Sequence, residues 1–118
     1  MLADEARFTQ MRLFIRRTVV DFIRRYSDAE DSLLAWLKEI EAAHYENPVQ
    51  LRQQHGSADF VGDKVVFNIV NNRYRIITRI IYANLQVDPP LNGIVFILFL
   101  GTHKQYDRID FAKMKRPR

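Results

Sequence analysis

The sequence contains no cysteine, which excludes a disulfide framework and a thiolate-bound metal site. It also lacks a long apolar run: the longest, residues 94–100, spans seven residues, whereas a membrane-spanning helix needs roughly 20. The first ten residues, MLADEARFTQ, lack the basic start and apolar segment of a signal peptide. Together these absences predict a cytoplasmic protein.

What is present fits one small folded domain with an uneven charge distribution. Hydrophobic residues make up 47% of the 118 residues, which is enough for one core. The net charge of +4 is modest, but residues 28–63 are mainly acidic, whereas most basic side chains lie in residues 16–25, 73–79 and 104–118. This asymmetry predicts one basic region. We divide the chain into an extension, a domain and a basic tail: residues 1–10, 11–110 and 111–118.

The first half of the sequence predicts a short strand followed by helices. Residues 11–16, MRLFIR, alternate well enough for an opening strand. Thr18 is the expected N-cap of a first helix, and a second helix is expected from residue 27 or 28 to about residue 43. Asn47 and Pro48 predict the cap and first position of a short helical turn.

The second half predicts strands, because the hydrophobic period changes from 3.6 to 2. A turn at Gly62-Asp63 and a two-residue hairpin turn at Asn71-Asn72 separate the strands. Two further strands are predicted at residues 73–82 and 94–100, and a protruding loop at residues 83–93 joins them. The expected fold class is α+β: a small antiparallel sheet of about four strands, with two N-terminal helices packed on one face and the other face open.

The arginines in the strand at residues 73–82 are expected on the open face. Arg73, Arg75 and Arg79 share one side of an alternating strand. Helices cannot cover three unpaired cations, because burying an unpaired charge costs several kcal/mol. Guanidinium groups bind phosphates in a bidentate manner, so this face suits a nucleic-acid backbone. Pairing with acidic neighbours such as Asp59 or Asp63 remains an alternative.

A second group of polar residues follows the most apolar strand. His103, Lys104, Tyr106 and Asp107 provide an imidazole, an ammonium, a phenol and a carboxylate within five residues. Such a set can supply general acid–base chemistry and charge stabilisation. For an isolated histidine a surface position is the more common explanation.

No cofactor or metal is predicted. The chain has three histidines and no cysteine, so a transition-metal site is not expected. It contains no G-x-S-x-G, phosphate-loop or dinucleotide-binding motif. His44 and His55 are predicted to be structural or exposed to solvent.

Three segments, SDAEDSLLAWLKEI, FVGDKVVFNIVNNRYRIITRIIY and FLGTHKQYDRID, resemble the HigB family of type II toxin–antitoxin toxins in the RelE-like superfamily. The similarity covers about residues 11–110 in order. Its most specific parts are Val66-Phe67-Asn68 followed by Asn72-x-Tyr74-Arg75, and Gly101-Thr102-His103-Lys104 leading into Tyr106-Asp107.

The resemblance implies a RelE-like fold and a metal-independent endoribonuclease that cuts mRNA on translating ribosomes. It also implies a HigA-like antitoxin with a helix-turn-helix domain, so DNA would be contacted only through the complex. In this interpretation Arg75 and Arg79 hold the scissile phosphate, His103 is the general acid or base, and Lys104 stabilises charge. Asn72 is expected to form the turn. The remaining RNA-contacting residues would be Arg73, Asn68, Tyr106 and Asp107, with Asp107 also orienting His103.

Two departures from the family leave a second interpretation open. Leu98 stands where family members often have an arginine, and the loop at residues 83–93 is longer than usual. The protein could therefore be a non-catalytic module that binds RNA, the ribosome or an acidic partner. A DNA-binding domain is less well supported, because no segment has clear helix-turn-helix spacing.

Overall fold

The computed structural model describes residues 12–14 and 16–110 of the chain. The predictions for the extension at residues 1–10, the start of the first strand at Met11 and the tail at residues 111–118 lie outside these residues. The elements, in chain order, are β1 Arg12–Phe14, α1 Arg16–Arg25, a 3₁₀ turn Ser27–Ala29, α2 Glu30–Ala42, α3 Pro48–Gln54, β2 Asp59–Val61, β3 Lys64–Ile69, β4 Tyr74–Ile81, β5 Ile94–Thr102 and α4 His103–Tyr106.

The strands form one five-stranded sheet in the order β1-β5-β4-β3-β2. Strands β2 to β5 are antiparallel to their neighbours, so the predicted α+β class with a four-stranded antiparallel sheet is confirmed. The opening strand β1 adds a fifth strand, and it pairs with β5 in parallel. A parallel neighbour requires a long crossover rather than a hairpin, and the intervening helices and strands provide it.

The helices form for the reasons that the sequence suggests, with one exception. In α2, Leu33, Trp36 and Ile40 recur at helical spacing and are buried. The Asn47 side chain accepts a hydrogen bond of 3.0 Å from the Gln50 N–H, which confirms the predicted cap of α3. The prediction for Thr18 was wrong, because α1 already begins at Arg16.

The core lies between the helices and one face of the sheet. From β3 to β5 this face contributes alternate residues, because side chains in a strand alternate. These residues are Val65, Phe67, Ile69, Tyr74, Ile76, Ile80, Val95 and Ile97. Thr78 is also fully buried, and its hydroxyl donates a 2.9 Å hydrogen bond to the Val65 carbonyl. The opposite face of the sheet carries the arginines.

The segment between β4 and β5 is closed by its own backbone. Asn84 and Leu91 exchange two N–H···O bonds of 2.8 Å. The first residue of the segment, Ala83, is buried, and its N–H donates to the Tyr45 carbonyl at 2.8 Å. Ala83 therefore does not belong to the protruding part of the predicted loop, whereas residues 84–91 are not buried.

Candidate functional site

The open face of the sheet has an apolar centre between two polar rows. Strand register aligns its positions in three rows across β3, β4 and β5. From the hairpin end, the rows are Asn68–Arg75–Gly101, Val66–Ile77–Phe99 and Lys64–Arg79–Phe96. Val66 and Ile77 are 1% and 0% exposed although they lie on this face. The two strand arginines are thus separated by a band of buried apolar side chains.

Arg73 does not belong to this face, which corrects the sequence-based assignment. The β3–β4 turn occupies four residues, 70–73, and Arg73 closes it by donating its N–H to the Val70 carbonyl at 2.9 Å. Val70, Asn71 and Asn72 have φ values of 54°, 49° and 72°, a conformation that asparagine tolerates better than most residues. The Asn pair therefore marks the turn correctly, but the turn takes up Arg73 as well.

The Arg73 side chain instead binds the 3₁₀ turn on the helical side of the sheet. Its Nη1 donates to Asp28 Oδ2 at 2.6 Å, and the Tyr74 hydroxyl donates to Asp28 Oδ1 at 2.6 Å. These two hydrogen bonds lower the pKa of Asp28 below its usual value, and the bond from Tyr74 has the larger effect. One carboxylate thus fixes both the hairpin turn and the first residue of β4.

Arg79 lies far from the hairpin end. Tyr74 pairs with Thr102, the residue before His103, and so marks the level of His103 on β4. Strands rise about 3.4 Å per residue, so Arg79 lies about 17 Å along β4 from that level. Arg79 Nε is 3.5 Å from Asp63 Oδ2. The Nε atom of Arg79 is buried, and it makes no hydrogen bond within the described part of the chain. The structure therefore does not bring Arg79 together with His103.

A capping box holds the short helix α4 at the end of β5. The Thr102 hydroxyl accepts from the Gln105 N–H at 3.1 Å, and Gln105 Oε1 accepts from the Thr102 N–H at 2.9 Å. The His103 N–H also donates to the Arg73 carbonyl at 3.1 Å, which ties α4 to the hairpin turn. The sequence analysis did not predict this capping box, although T-x-x-Q is a known signature of a helix start.

Most of the predicted site residues meet at this end of the sheet. His103 Nδ1 lies 3.0 Å from Asp107 Oδ2, and both side chains are about half exposed, at 51% and 59%. The Arg75 guanidinium carbon lies 5.6 Å from the Tyr106 ring centroid. Arg75 Nη1 also donates to the Asn72 carbonyl at 2.7 Å, which directs the side chain toward the turn. Lys104 follows His103 and is exposed.

Asn68 faces Arg75 across the strand pair, but its side chain turns toward the sheet edge. Its Nδ2 makes a long, 3.5 Å hydrogen bond to the Ser57 carbonyl. Gly101 lies on the other side of Arg75, and a Cβ there would come within 2.5 Å of Phe99 Cζ and 2.6 Å of Gln105 Oε1. Glycine at this position therefore lets both side chains close over the backbone beside Arg75.

The other two histidines lie outside this cluster, as predicted. His44 is exposed. His55 Nε2 is 3.1 Å from the Tyr45 hydroxyl and 3.7 Å from Glu39 Oε2, and burial lowers the pKa of His55. Burial and the Glu39 charge raise the pKa of Tyr45 to about 12. These contacts link Glu39 in α2 to His55, which follows α3, and to Tyr45 in the connecting segment.

Residues 12–14 and 16–110 contain no group of three or more histidine, aspartate or glutamate side chains arranged to hold a metal ion. None of the helices in the same residues has the length and apolar content that a membrane span requires.

The antiparallel sheet of β2 to β5, backed by helices, is consistent with the RelE-like class of small α+β proteins. The model of the HigB_toxin family, described as the RelE-like toxic component of a toxin–antitoxin system, matches residues 29–109. This match covers more than half of the chain, and the chain belongs to that family. It is the toxin of a toxin–antitoxin system, and its partner is an antitoxin. A search of the curated proteins found no match.

Proposed function

We propose that this toxin is a metal-independent endoribonuclease that cleaves mRNA on translating ribosomes in the cytoplasm, and that a HigA-like helix-turn-helix antitoxin neutralises it. The family match supports a toxin. The observation that carries the enzymatic proposal is the pairing of His103 with Asp107 around the short helix α4, whose Tyr106 ring lies 5.6 Å from the Arg75 guanidinium carbon. An imidazole oriented by a carboxylate next to a permanent cation is suited to phosphodiester cleavage.

In the proposed reaction the ribose 2′-hydroxyl attacks the adjacent phosphorus and the bond to the 5′-oxygen breaks. Asp107 accepts a hydrogen bond from Nδ1–H of His103, which leaves Nε2 as the atom that exchanges protons with the RNA. Nε2 either takes the 2′-hydroxyl proton or, once protonated, donates a proton to the leaving oxygen. Arg75 and Lys104 stabilise the negative charge that develops on the phosphate oxygens.

The remaining predicted residues have roles at the edges of this centre. The Tyr106 ring stacks on a base or donates its hydroxyl, and Asn68 contacts RNA from the neighbouring strand. Arg79 holds a phosphate farther along the RNA, since it is about 17 Å from the level of His103. Arg73 guides the RNA backbone through the part of its guanidinium group that Asp28 does not engage; its side chain is 64% exposed.

Cleavage of an mRNA by the purified toxin in a translating-ribosome assay tests this proposal. The His103→Ala protein should give no cuts, whereas His44→Ala, which changes an exposed histidine elsewhere, should cut normally. Mapping of RNA ends identifies the cuts. If the His103→Ala protein cuts as well as the unsubstituted toxin, His103 is not the acid–base group.

The same assay addresses the alternative of a non-catalytic RNA- or ribosome-binding module. Leu98 favours this alternative, because it supplies no cation where family members often have an arginine. It is the bulged residue of β5 and has no partner in β4, since Ile77 pairs with Phe99 and Thr78 pairs with Ile97. Arg79 does not replace that cation, because it binds Asp63 on the side of β3, away from β5. Tight ribosome binding without new RNA ends would favour the module.

A further inference from the structure

The last turn of α1 carries two exposed arginines, Arg24 and Arg25. The core-facing residues of this helix are Val19 and Phe22, with Ile23 packed against the same core. Neither arginine is therefore needed to cover the core. Their position at the helix C-terminus is favourable for the helix dipole, but that effect alone does not require two arginines.

A chain of ring contacts places this turn next to the end of the sheet that carries α4. The Arg25 guanidinium carbon is 5.7 Å from the Tyr26 ring centroid. The Tyr26 ring is 5.4 Å from that of Tyr74, and Tyr74 pairs with Thr102, which caps α4 at His103. The end of α1 and the candidate catalytic cluster thus lie at the same end of the sheet, with α1 on the helical face and Arg75 on the open face.

Within the described part of the chain, the exposed cations at this end of the sheet, apart from Arg73, are not paired with acidic side chains. Arg24 and Lys104 form no ion pair or side-chain hydrogen bond within residues 12–14 and 16–110, and Arg25 contacts only the Tyr26 ring there. The nearby carboxylate of Asp28 already accepts hydrogen bonds from Arg73 and Tyr74. We call Arg24, Arg25 and Lys104 the basic rim.

We propose that the basic rim binds backbone phosphates of the RNA chain where that chain leaves the candidate catalytic cluster. This inference rests on the proposed function, because it takes the RNA at His103 as its starting point. Lys104 belongs to both the cluster and the rim, so an RNA strand bound at His103 continues past Lys104 toward Arg24 and Arg25. Guanidinium forks match phosphate oxygens, and such contacts are independent of base sequence.

RNA affinity measured at several salt concentrations tests the proposal. All proteins carry His103→Ala so that the RNA stays intact. The rim variant is Arg24→Gln/Arg25→Gln. The control variant is Arg17→Gln/Lys38→Gln, which removes two exposed charges outside the rim and so has the same net charge as the rim variant. Each protein is titrated with a long single-stranded RNA and with an oligonucleotide of only a few nucleotides. Glutamine keeps the helix propensity of arginine, and thermal unfolding verifies the fold.

We expect the rim variant to bind the long RNA with a salt slope reduced by about 1.4, since each contact to a single strand contributes about 0.7. Its affinity for the short oligonucleotide should equal that of the control variant. Equal slopes for the two variants on the long RNA would overturn the proposal, as would an equal loss on both RNAs. If the slope changes as expected but the unsubstituted toxin cuts no mRNA in the translating-ribosome assay, the rim is supported and the enzymatic proposal fails.

Discussion

Replacing Gly101 by alanine should loosen the end of the sheet that carries His103. The new Cβ would lie 2.5 Å from Phe99 Cζ and 2.6 Å from Gln105 Oε1. Both distances are well below van der Waals contact, so both side chains must move. When Gln105 moves, its carbonyl oxygen leaves the Thr102 N–H, and the capping box that fixes α4 is lost.

The expected cost follows from these two displacements. Loss of a helix N-terminal cap costs about 1 kcal/mol, and overpacking at a half-buried ring adds about 1 kcal/mol because only side-chain ends need to shift. The sum of about 2 kcal/mol corresponds to a fall in Tm of roughly 8 °C for a domain of this size. RNA cleavage should fall as well, because the His103 ring moves with α4.

Thermal unfolding of four proteins measures the effect. Gly56→Ala is the matched control, since its new Cβ would meet only the Arg52 carbonyl at 3.9 Å. Gln105→Ala should cost about 1 kcal/mol through the lost cap. In that background Gly101→Ala should cost less than it does alone, because one of the two obstacles is gone. If Gly101→Ala unfolds at the same temperature as Gly56→Ala, the close packing of Phe99 and Gln105 over this glycine is refuted.

Three further results are expected. Arg75→Ala should reduce mRNA cleavage on ribosomes by about 100-fold or more without unfolding the protein, whereas Arg79→Ala should reduce it much less; equal losses would contradict the separation of the two arginines. Asp28→Asn should lower the free energy of unfolding near neutral pH, and the difference should vanish in acid. The sign follows from the lowered pKa of Asp28: its ionised form adds stability above the usual value of 3.8, and this stability disappears as the pH falls through the lower folded-state pKa; urea unfolding at several pH values measures it. Replacing residues 85–90 by Asn-Gly should leave cooperative unfolding intact, because Asn84 and Leu91 already pair, and a broad, non-cooperative transition would contradict this.

The sequence predicted the parts of the fold that depend on local pattern. Helical spacing identified α2, the Asn-Pro pair identified α3, and the change to a period of two identified the antiparallel strands. The sequence also grouped His103 with Asp107, because both lie within five residues; the helical turn that brings the two side chains together was not predicted.

The features that sequence reasoning missed depend on distant contacts or on details of turn geometry. Arg73 was assigned to the strand because a two-residue turn was expected, whereas three consecutive residues with positive φ lengthen the turn to four. Its partner, Asp28, is 45 residues away in the chain, and no periodicity reports such a contact. Arg79 is separated from His103 because it lies five residues along β4 from Tyr74, which pairs with Thr102. Residue type alone does not indicate this distance.

The sheet order also bears on when a newly made toxin becomes dangerous to its own cell. Strand β5 lies between β1 and β4, yet it is synthesised after all four other strands. A nascent chain that stops before residue 94 has α1 to α3 and the β3–β4 hairpin, but it lacks the strand that joins β1 to β4 and the imidazole that follows that strand. Contacts this far apart in sequence also form late in folding. The candidate site can therefore form only after β5 and α4 have been synthesised and β5 has joined the sheet.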